Sequence, residues 1–401
     1  MSRGVKLGHV LEGIRVVDLT EYLAGPYCTM MLADLGADVV KVEQPRRGDG
    51  SRQWGPPFIE GESGYFLSIN RNKKSITLNL KSPKGLEILH KLVSSADVFI
   101  ENYRPGIAEK LGIGYATLNR LNEKLVYCSI SGFGQDGPYS KRPLYDIVGQ
   151  AMSGFMSITG EEDRPPVKIG VAISDICGGM FATIGILAAL KARDQTGQGR
   201  KIDVSIIDGL VSWLSHQAGY YFASGMNPER LTSAHPTIAP YQAFKASDAY
   251  FVVAVGNDTL WKTFCEVLGI RQLIADPRFL TNPDRVKNRN ELARILQGIF
   301  ATNPANVWLQ VLDSVRVPCG PVQTVSEVFT DPQVLHREML QEVHHPKAGK
   351  IKVLGVPIKM DGVSTTIRAP PPMLGEHTIE ILHTLGYSDA EIKKLEQEEA
   401  L

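Results

Sequence analysis

The sequence has no excess charge, no paired cysteines, no histidines at ligand spacing and no glycine fingerprint for a dinucleotide. Each absence closes a class of function. Lys and Arg together number 43 and Asp and Glu 43, so the formal net charge is zero. With no basic block of useful length either, nucleic-acid binding is not expected. The five cysteines, Cys28, Cys128, Cys177, Cys265 and Cys319, are scattered without a CxxC pair. They read as reduced cytosolic thiols, mostly packing. Among the nine histidines only His344 and His345 stand together, and adjacency is not metal-ligand spacing. No metal is expected. The opening stretch, MSRGVKLGHVLEG, lacks an apolar signal core. The longest uncharged apolar run, 176–190, is about 15 residues against the roughly 20 of a membrane span. A cytoplasmic protein without membrane contact is expected. Its 43% hydrophobic and 21% charged residues suit a globular chain with room for two domains.

The first half reads as a parallel sheet. Ile14 to Leu19 is a buried-strand run, Ala24-Gly25-Pro26 a turn, Tyr27 to Leu35 a helix ended by Gly36, and Asp38 to Glu43 a second strand. A β-α-β unit implies parallel strands covered by helices. Gly25 stands alone where G-x-G-x-x-G would be needed, which argues against NAD. Basic residues then recur at strand ends. Arg46, Arg47 and Arg52 follow Glu43. Arg71, Lys73 and Lys74 precede a strand Ile76 to Leu80, with Lys81 after it and Ser82-Pro83 capping a helix over 83–95. Asp97 to Ile100 runs into Asn102, Tyr103 and Arg104, with Lys110 a turn later, and Leu125 to Ile130 runs into Ser131-Gly132-Phe133-Gly134. Ligands of doubly wound sheets bind at that edge. The pattern suits a ligand with several phosphates and an aromatic ring, such as a nucleotide or coenzyme A.

The stretch 167–193, VKIGVAISDICGGMFATIGILAALKAR, holds a single carboxylate, Asp175, before a charge-free run. It predicts a buried helix with Asp175 at its start and Lys191 and Arg193 at its end, as the helix dipole favours. The dipole would hold Asp175 ionised against an apolar wall. Gly178 and Gly179 cost helix stability and suggest something large against the backbone. Asp175 is then either a nucleophile or simply an N-cap.

Beyond Ala223 the texture becomes a polar, proline-bearing linker. Tyr241 to Asn257 reads as a hairpin, followed by helices at Trp261 to Leu268, Asn290 to Thr302 and Asn306 to Val315. A smaller α+β domain over 225–325 is expected, between a large domain over 1–224 and a C-terminal part, 326–401, that returns to it. Val325 to Leu340 reads as helix, 350–360 as extended chain, and Ser388 to Leu401 as a charged, exposed helix.

Eight motifs in this order carry a resemblance: LAGP at 23–26, LADLGADVVKVE at 32–43, NRNKKSITLNLK at 70–81, VFIENYRPG at 98–106, SGFGQDGP at 131–138, the Asp175 segment with TGQGRKIDVSIIDG at 196–209, PYQAF at 240–244 and LGEHT at 374–378. The chain resembles the class III acyl-CoA transferases, the family of formyl-CoA transferase, carnitine CoA-transferase and the alpha-methylacyl-CoA racemases. The resemblance implies an α/β fold: a Rossmann-like doubly wound sheet in a large domain, a smaller α+β domain, and an interlocked, ring-like homodimer. It implies coenzyme A thioesters as substrates, no permanently bound cofactor, and Asp175 as the nucleophile, passing through an aspartyl anhydride and an aspartyl-CoA thioester. It places Leu23 and Ala24 near the thioester, and Leu78, Lys81, Asn102, Tyr103, Arg104 and Lys110 around the nucleotide. Arg46 or Arg47 would meet the 3′-phosphate, and Arg142 to Tyr145 would frame the pantetheine and acyl group.

Two departures narrow the activity. The racemases carry a histidine where Tyr145 stands before Asp146, so exchange of an α-proton lacks a base. Formyl-CoA transferase has a run of glycines where VAVGND, 253–258, keeps only Gly256. The segments NRNKKSI, PYQAFK and DPQVLH look most like the succinate–hydroxymethylglutarate branch of the family. That implies dicarboxylic acids as acceptors and dicarboxylyl-CoA esters such as succinyl-CoA as donors, with Arg142 or His235 meeting the far carboxylate. The alternatives are a 2-methylacyl-CoA racemase or epimerase, a formyl-CoA:oxalate CoA-transferase, and a non-catalytic CoA-binding protein in which Asp175 is only a cap.

Overall fold

The structure, a computed structural model, describes residues 8–364 and 366–401. Residues 1–7, part of the stretch read above as lacking a signal core, lie outside the described residues. The chain divides into two compact units. One takes the chain up to Gly154, Ile169–Gly219 and Pro332–Leu401; the other takes Phe155–Lys168 and Tyr220–Asp331.

The first unit is built on a six-stranded, all-parallel sheet: β1 (Arg15–Asp18), β2 (Asp38–Glu43), β3 (Lys73–Thr77), β4 (Val98–Glu101), β5 (Val126–Ser131) and β6 (Lys201–Ser205). Its spatial order is 3-2-1-4-5-6, the doubly wound order whose switch point lies between strands 1 and 4. Val17 lies between Val40 and Phe99 there. Strands β4 and β5 are buried throughout, as helices on both faces require. The third strand begins at Lys73, three residues before the expected Ile76, because the Lys73 ammonium is neutralised inside the fold by Asp18.

Helix α1 (Ala24–Asp34) begins earlier than expected, so Ala24-Gly25-Pro26 is its first turn and not a separate turn. Proline costs little there, where its missing N–H has no intrahelical partner. Helix α2 (Pro83–Ser94) buries Ile88, Leu89, Leu92 and Val93, one face of its 3.6-residue period. Ser82 sits at its cap position without a capping hydrogen bond, and Pro83 supplies the start. Helix α3 (Asp146–Met152) precedes the 24-residue α4 (Ile173–Thr196), which ends on Gly197 at φ 71°, the left-handed cap glycine tolerates. Helix α5 (Ile206–Trp213) follows β6. By length and composition α4 could cross a membrane, but half of its apolar window is buried inside the fold. Helices α1, α3 and α5 and strand β5 pack on it, making it a core helix.

One core cluster of this unit joins Val17, Ile76, Ile88, Leu89, Phe99 and Tyr127 to Ile381, Leu382, Ile392, Leu395 and Ala400. The last helix, Asp389–Gln397, is therefore docked on one face and not simply exposed as expected. Between 325 and 354 the chain forms two short helices, Val325–Val328 and Pro332–His336, and an antiparallel hairpin of Leu340–His345 with Gly349–Leu354.

The second unit has an antiparallel sheet of β7 (Tyr241–Lys245), β8 (Tyr250–Ala254) and β9 (Cys319–Pro321), with β8 central. Helices Asp258–Val267, Arg289–Phe300 and Ala305–Ser314 cover it around Trp261, Phe264, Phe300 and Leu312. The segment 155–168 belongs here. Arg230 donates to the Glu162 and Arg164 carbonyls at 2.8 and 2.7 Å, and the Thr232 N–H donates to the Gly160 carbonyl.

Candidate active site

Asp175 sits in the first turn of α4, but it does not cap the helix. That work is done by Asp146, from α3. Its Oδ1 accepts the Ser174 N–H at 3.0 Å, and its backbone carbonyl accepts the Ser174 hydroxyl at 2.9 Å. Gln150 holds Asp146 in turn, donating to Oδ2 at 2.8 Å while its own Oε1 accepts the Ile169 N–H at 2.8 Å. Asp175 is thus left partly buried, with no hydrogen bond or cation lowering its pKa. Burial first, and the Asp146 carboxylate second, push it from 3.8 up to about 7. Burial thus works against the ionised form that the helix end was expected to favour.

The wall beside it is apolar, as expected. Leu23, Met30 and Ile69 pack together with Tyr27, Tyr65, Ala172 and Ile176, the last two flanking Asp175 in sequence. The Tyr65 phenol is pushed up by burial and then by the charges of Asp175 and Asp146. Trp54 lies edge-on to Tyr65 at 4.9 Å and against Tyr22 at 5.1 Å. This aromatic row escaped the sequence reading, since its rings come from three separate segments with no common period. Gly178 and Gly179 do not leave room for a ligand. A Cβ at Gly178 would lie 2.8 Å from Ile206, and one at Gly179 would lie 2.6 Å from the Ala24 carbonyl oxygen. They exist so that α5 and α1 can approach α4.

The other residues singled out above mostly follow strand ends along one edge of the parallel sheet. Arg46 and Arg47 come after β2, both exposed, Arg46 at φ 64° and paired with Glu399 at 3.3 Å. Leu78 and Lys81 come after β3. Leu78 is a core residue, 2% exposed, and Lys81 is exposed. Asn102 to Lys110 come after β4. Asn102 bridges back to the loop after β1, accepting the Glu21 N–H at 2.9 Å and donating to its carbonyl at 2.8 Å. The Tyr103 N–H donates to Glu101 at 2.7 Å, and Arg104 and Lys110 are exposed. Glu101 itself is a buried carboxyl pushed up to about 7 by desolvation. After β5, the exposed Arg142 lies 4.7 Å from the Tyr139 ring centre, and Tyr145, 62% exposed, precedes α3. His235 belongs to the second unit, its ring 5.1 Å from Tyr241 and its Nδ1 accepting the Thr237 N–H.

The second basic group is a correction. Arg71 forms a buried pair with Asp34, Lys73 with Asp18, and Lys74 an outer pair with Glu380. Arg52 is likewise held by Glu43 at 2.7 Å. These cations serve the fold, because carboxylates from neighbouring strands and helices already neutralise them. Among the described residues no cluster has the makings of a metal site.

A family model described as CoA-transferase family III matches residues 11–378. A succinyl-CoA:glutarate CoA-transferase of Mus musculus is 44% identical over 386 residues, 96% of this chain and 88% of that one. An acetyl-CoA:oxalate CoA-transferase of Acetobacter aceti is 42% identical over 367 residues, 91% of this chain and 93% of that one. The crystal structure of a CAIB/BAIF family protein from Brucella suis superposes with a TM-score of 0.85 at 42% identity, covering 94% of this chain and all of that one.

Proposed function

The chain belongs to CoA-transferase family III and is a CoA-transferase; from that premise we propose that it moves CoA from a dicarboxylyl-CoA such as succinyl-CoA to a free carboxylic acid, with Asp175 as nucleophile. The observation that carries this reading is the Asp175 carboxylate itself, relieved of capping by Asp146 and set on an apolar wall without a counter-ion. A desolvated carboxylate that ionises near neutrality is basic enough to attack a thioester. Relatives whose names carry succinyl-CoA and glutarate, and others acetyl-CoA and oxalate, support short acids as the exchanging groups.

In this reaction an Asp175 oxygen attacks the thioester carbonyl. The C–S bond breaks, CoA leaves as thiolate, and an acyl-aspartyl anhydride forms. The thiolate attacks the Asp175 carbonyl carbon, releasing the donor carboxylate and leaving an aspartyl-CoA thioester. The acceptor carboxylate attacks that thioester, freeing the thiolate again. The thiolate then takes the acceptor acyl group and restores the Asp175 carboxylate. Each exchange is between groups of similar energy, which is the use of covalent catalysis here. Leu23 and Ala24 would border the thioester. Lys81, Asn102, Tyr103, Arg104 and Lys110 would hold the nucleotide beside the backbone at Leu78, whose side chain is in the core, and Arg46 or Arg47 the 3′-phosphate. Tyr145 would border the acyl group, whose far carboxylate Arg142 would meet. No permanently bound cofactor enters any step. A cytoplasmic homodimer of interlocked rings completes the reading. Exposed apolar side chains, Ile184 and Met180 on α4 and Val211 on α5, support burial by a second copy.

Intact-protein mass spectrometry after incubation with succinyl-CoA tests it. The expected result is a CoA or succinyl adduct on the wild-type chain, released by hydroxylamine and missing from Asp175→Ala. An adduct of equal mass on the variant would remove Asp175 as nucleophile.

A further inference from the structure

Beneath α1 lies a buried ion-pair cluster that touches no exposed surface. Asp18, at the end of β1, is fully buried. Its Oδ1 accepts the N–H and hydroxyl of Thr20 at 2.9 and 2.6 Å. Its Oδ2 accepts the Thr29 hydroxyl at 2.6 Å and lies 3.3 Å from Lys73 Nζ. The same ammonium donates to the Pro26 carbonyl at 2.9 Å and to Asn70 at 2.8 Å. Lys41 donates to the Thr20 carbonyl at 2.6 Å and pairs with Asp49 at 2.8 Å, and Asp49 accepts the Tyr22 N–H at 3.1 Å.

Three successive amides, those of Thr20, Glu21 and Tyr22, are therefore each taken by a side chain: Asp18, Asn102 and Asp49. In a dinucleotide-binding sheet of the same strand order, this loop and the helix after it present open N–H groups to a pyrophosphate. Here the three loop amides are already occupied and are not open to a phosphate. What it does instead is fix the first turn of α1. The Ala24 carbonyl of that turn abuts Gly179. Gly179 is four residues beyond Asp175, on the same face of α4.

We propose that the Asp18–Lys73 and Lys41–Asp49 pairs are positioning residues for the Asp175 reaction, setting where the first turn of α1 stands against α4 and so the wall along which a thioester meets the carboxylate. The proposal rests on the reading of Asp175 as nucleophile. It makes rate, and not affinity for the thioester, the property the cluster controls, because a displacement of about 1 Å at a reacting centre costs about 100-fold.

The decisive variant is Gly179→Ala. It raises the helix propensity of α4, alters no charge, and forces the Ala24 carbonyl away. Exchange between succinyl-CoA and isotopically labelled succinate gives kcat and KM, and circular dichroism reports folding. Gly179→Ala is expected to lower kcat by about 100-fold with KM for succinyl-CoA little changed. Thr29→Val, which deletes one hydrogen bond to Asp18, is expected to lower kcat in the same manner, and Thr29→Ser to restore it. A folded Gly179→Ala protein with wild-type kcat overturns the proposal, as does a loss expressed wholly in KM. Should Gly179→Ala fail to fold, the contrast between Thr29→Val and Thr29→Ser decides on the same criterion. Asp175→Asn runs beside them. If it keeps wild-type kcat, the nucleophile reading falls and the positioning proposal with it. If it is inactive while Gly179→Ala matches wild type, the positioning proposal alone falls.

Discussion

Asp18 and Asp175 are two aspartates of one unit, both withdrawn from water, and they could hardly be treated more differently. Asp18 has Thr20, Thr29 and Lys73 on its oxygens, and its pKa is held below the ordinary value: burial alone would raise it, but Lys73, Lys41 and the hydroxyls outweigh that. Asp175 has neither cation nor hydrogen bond to offset its burial, and it rises to about 7. Burial with partners produces rigidity; burial without them produces a base. The fold invests in the first to exploit the second.

The contrast can be broken most directly at Asp175. Asp175→Asn should lower the exchange rate by about 10³-fold or more, measured with succinyl-CoA and labelled succinate, while Asp18 keeps the fold intact. Next, Lys73→Met strands the Asp18 carboxylate, and losing one partner of a buried pair costs about 3–5 kcal/mol. Urea unfolding should show that loss; an unchanged midpoint would mean that Asp18 does not depend on its cation.

The two carboxyls also give stability slopes of opposite sign. Asp175 has a raised folded value, so its contribution is present below about 3.8 and is lost as pH rises to about 7. At roughly 1.4 kcal/mol per unit, Asp175→Asn should be more stable than wild type by a few kcal/mol at pH 8, and no more stable at pH 3. Asp18 has a lowered folded value, so its contribution is present above the unfolded pKa and is lost as pH falls through the folded one. Urea unfolding across that range reads both slopes, and kcat/KM should rise through about pH 7 as Asp175 ionises. The smallest effect is the sharpest: Asp146→Asn keeps an oxygen for the Ser174 N–H but removes the second cause of the Asp175 shift. The acid limb of the pH–rate profile should then move to lower pH, with the protein still folded.

The parallel sheet was legible because β4 and β5 open on apolar runs, Val98 to Ile100 and Val126 to Cys128. The start of β3 was not, because Lys73 reads as a surface residue until Asp18, 55 positions earlier, is seen to neutralise it. The same blindness made Arg71, Lys73 and Lys74 look like ligand contacts. Asp175 stood out as the lone carboxylate of an apolar stretch, but its raised pKa comes first from burial and second from the charge of Asp146 on another helix, neither of which its own segment shows. Gly178 and Gly179 announced a close approach without saying whose. No pattern links Tyr22, Trp54 and Tyr65, which come from three separate segments.

Residues late in the sequence complete the core of the sheet unit. Ala400 is fully buried, its carbonyl accepting the Asn79 N–H at 2.9 Å, and Ile381, Leu382, Ile392 and Leu395 belong to the same core as Ile88 and Phe99. A ribosome delivers the first five strands long before those residues, and the whole second unit emerges in between. The nascent sheet therefore carries an uncovered apolar face through most of its synthesis, the condition that holdase chaperones meet.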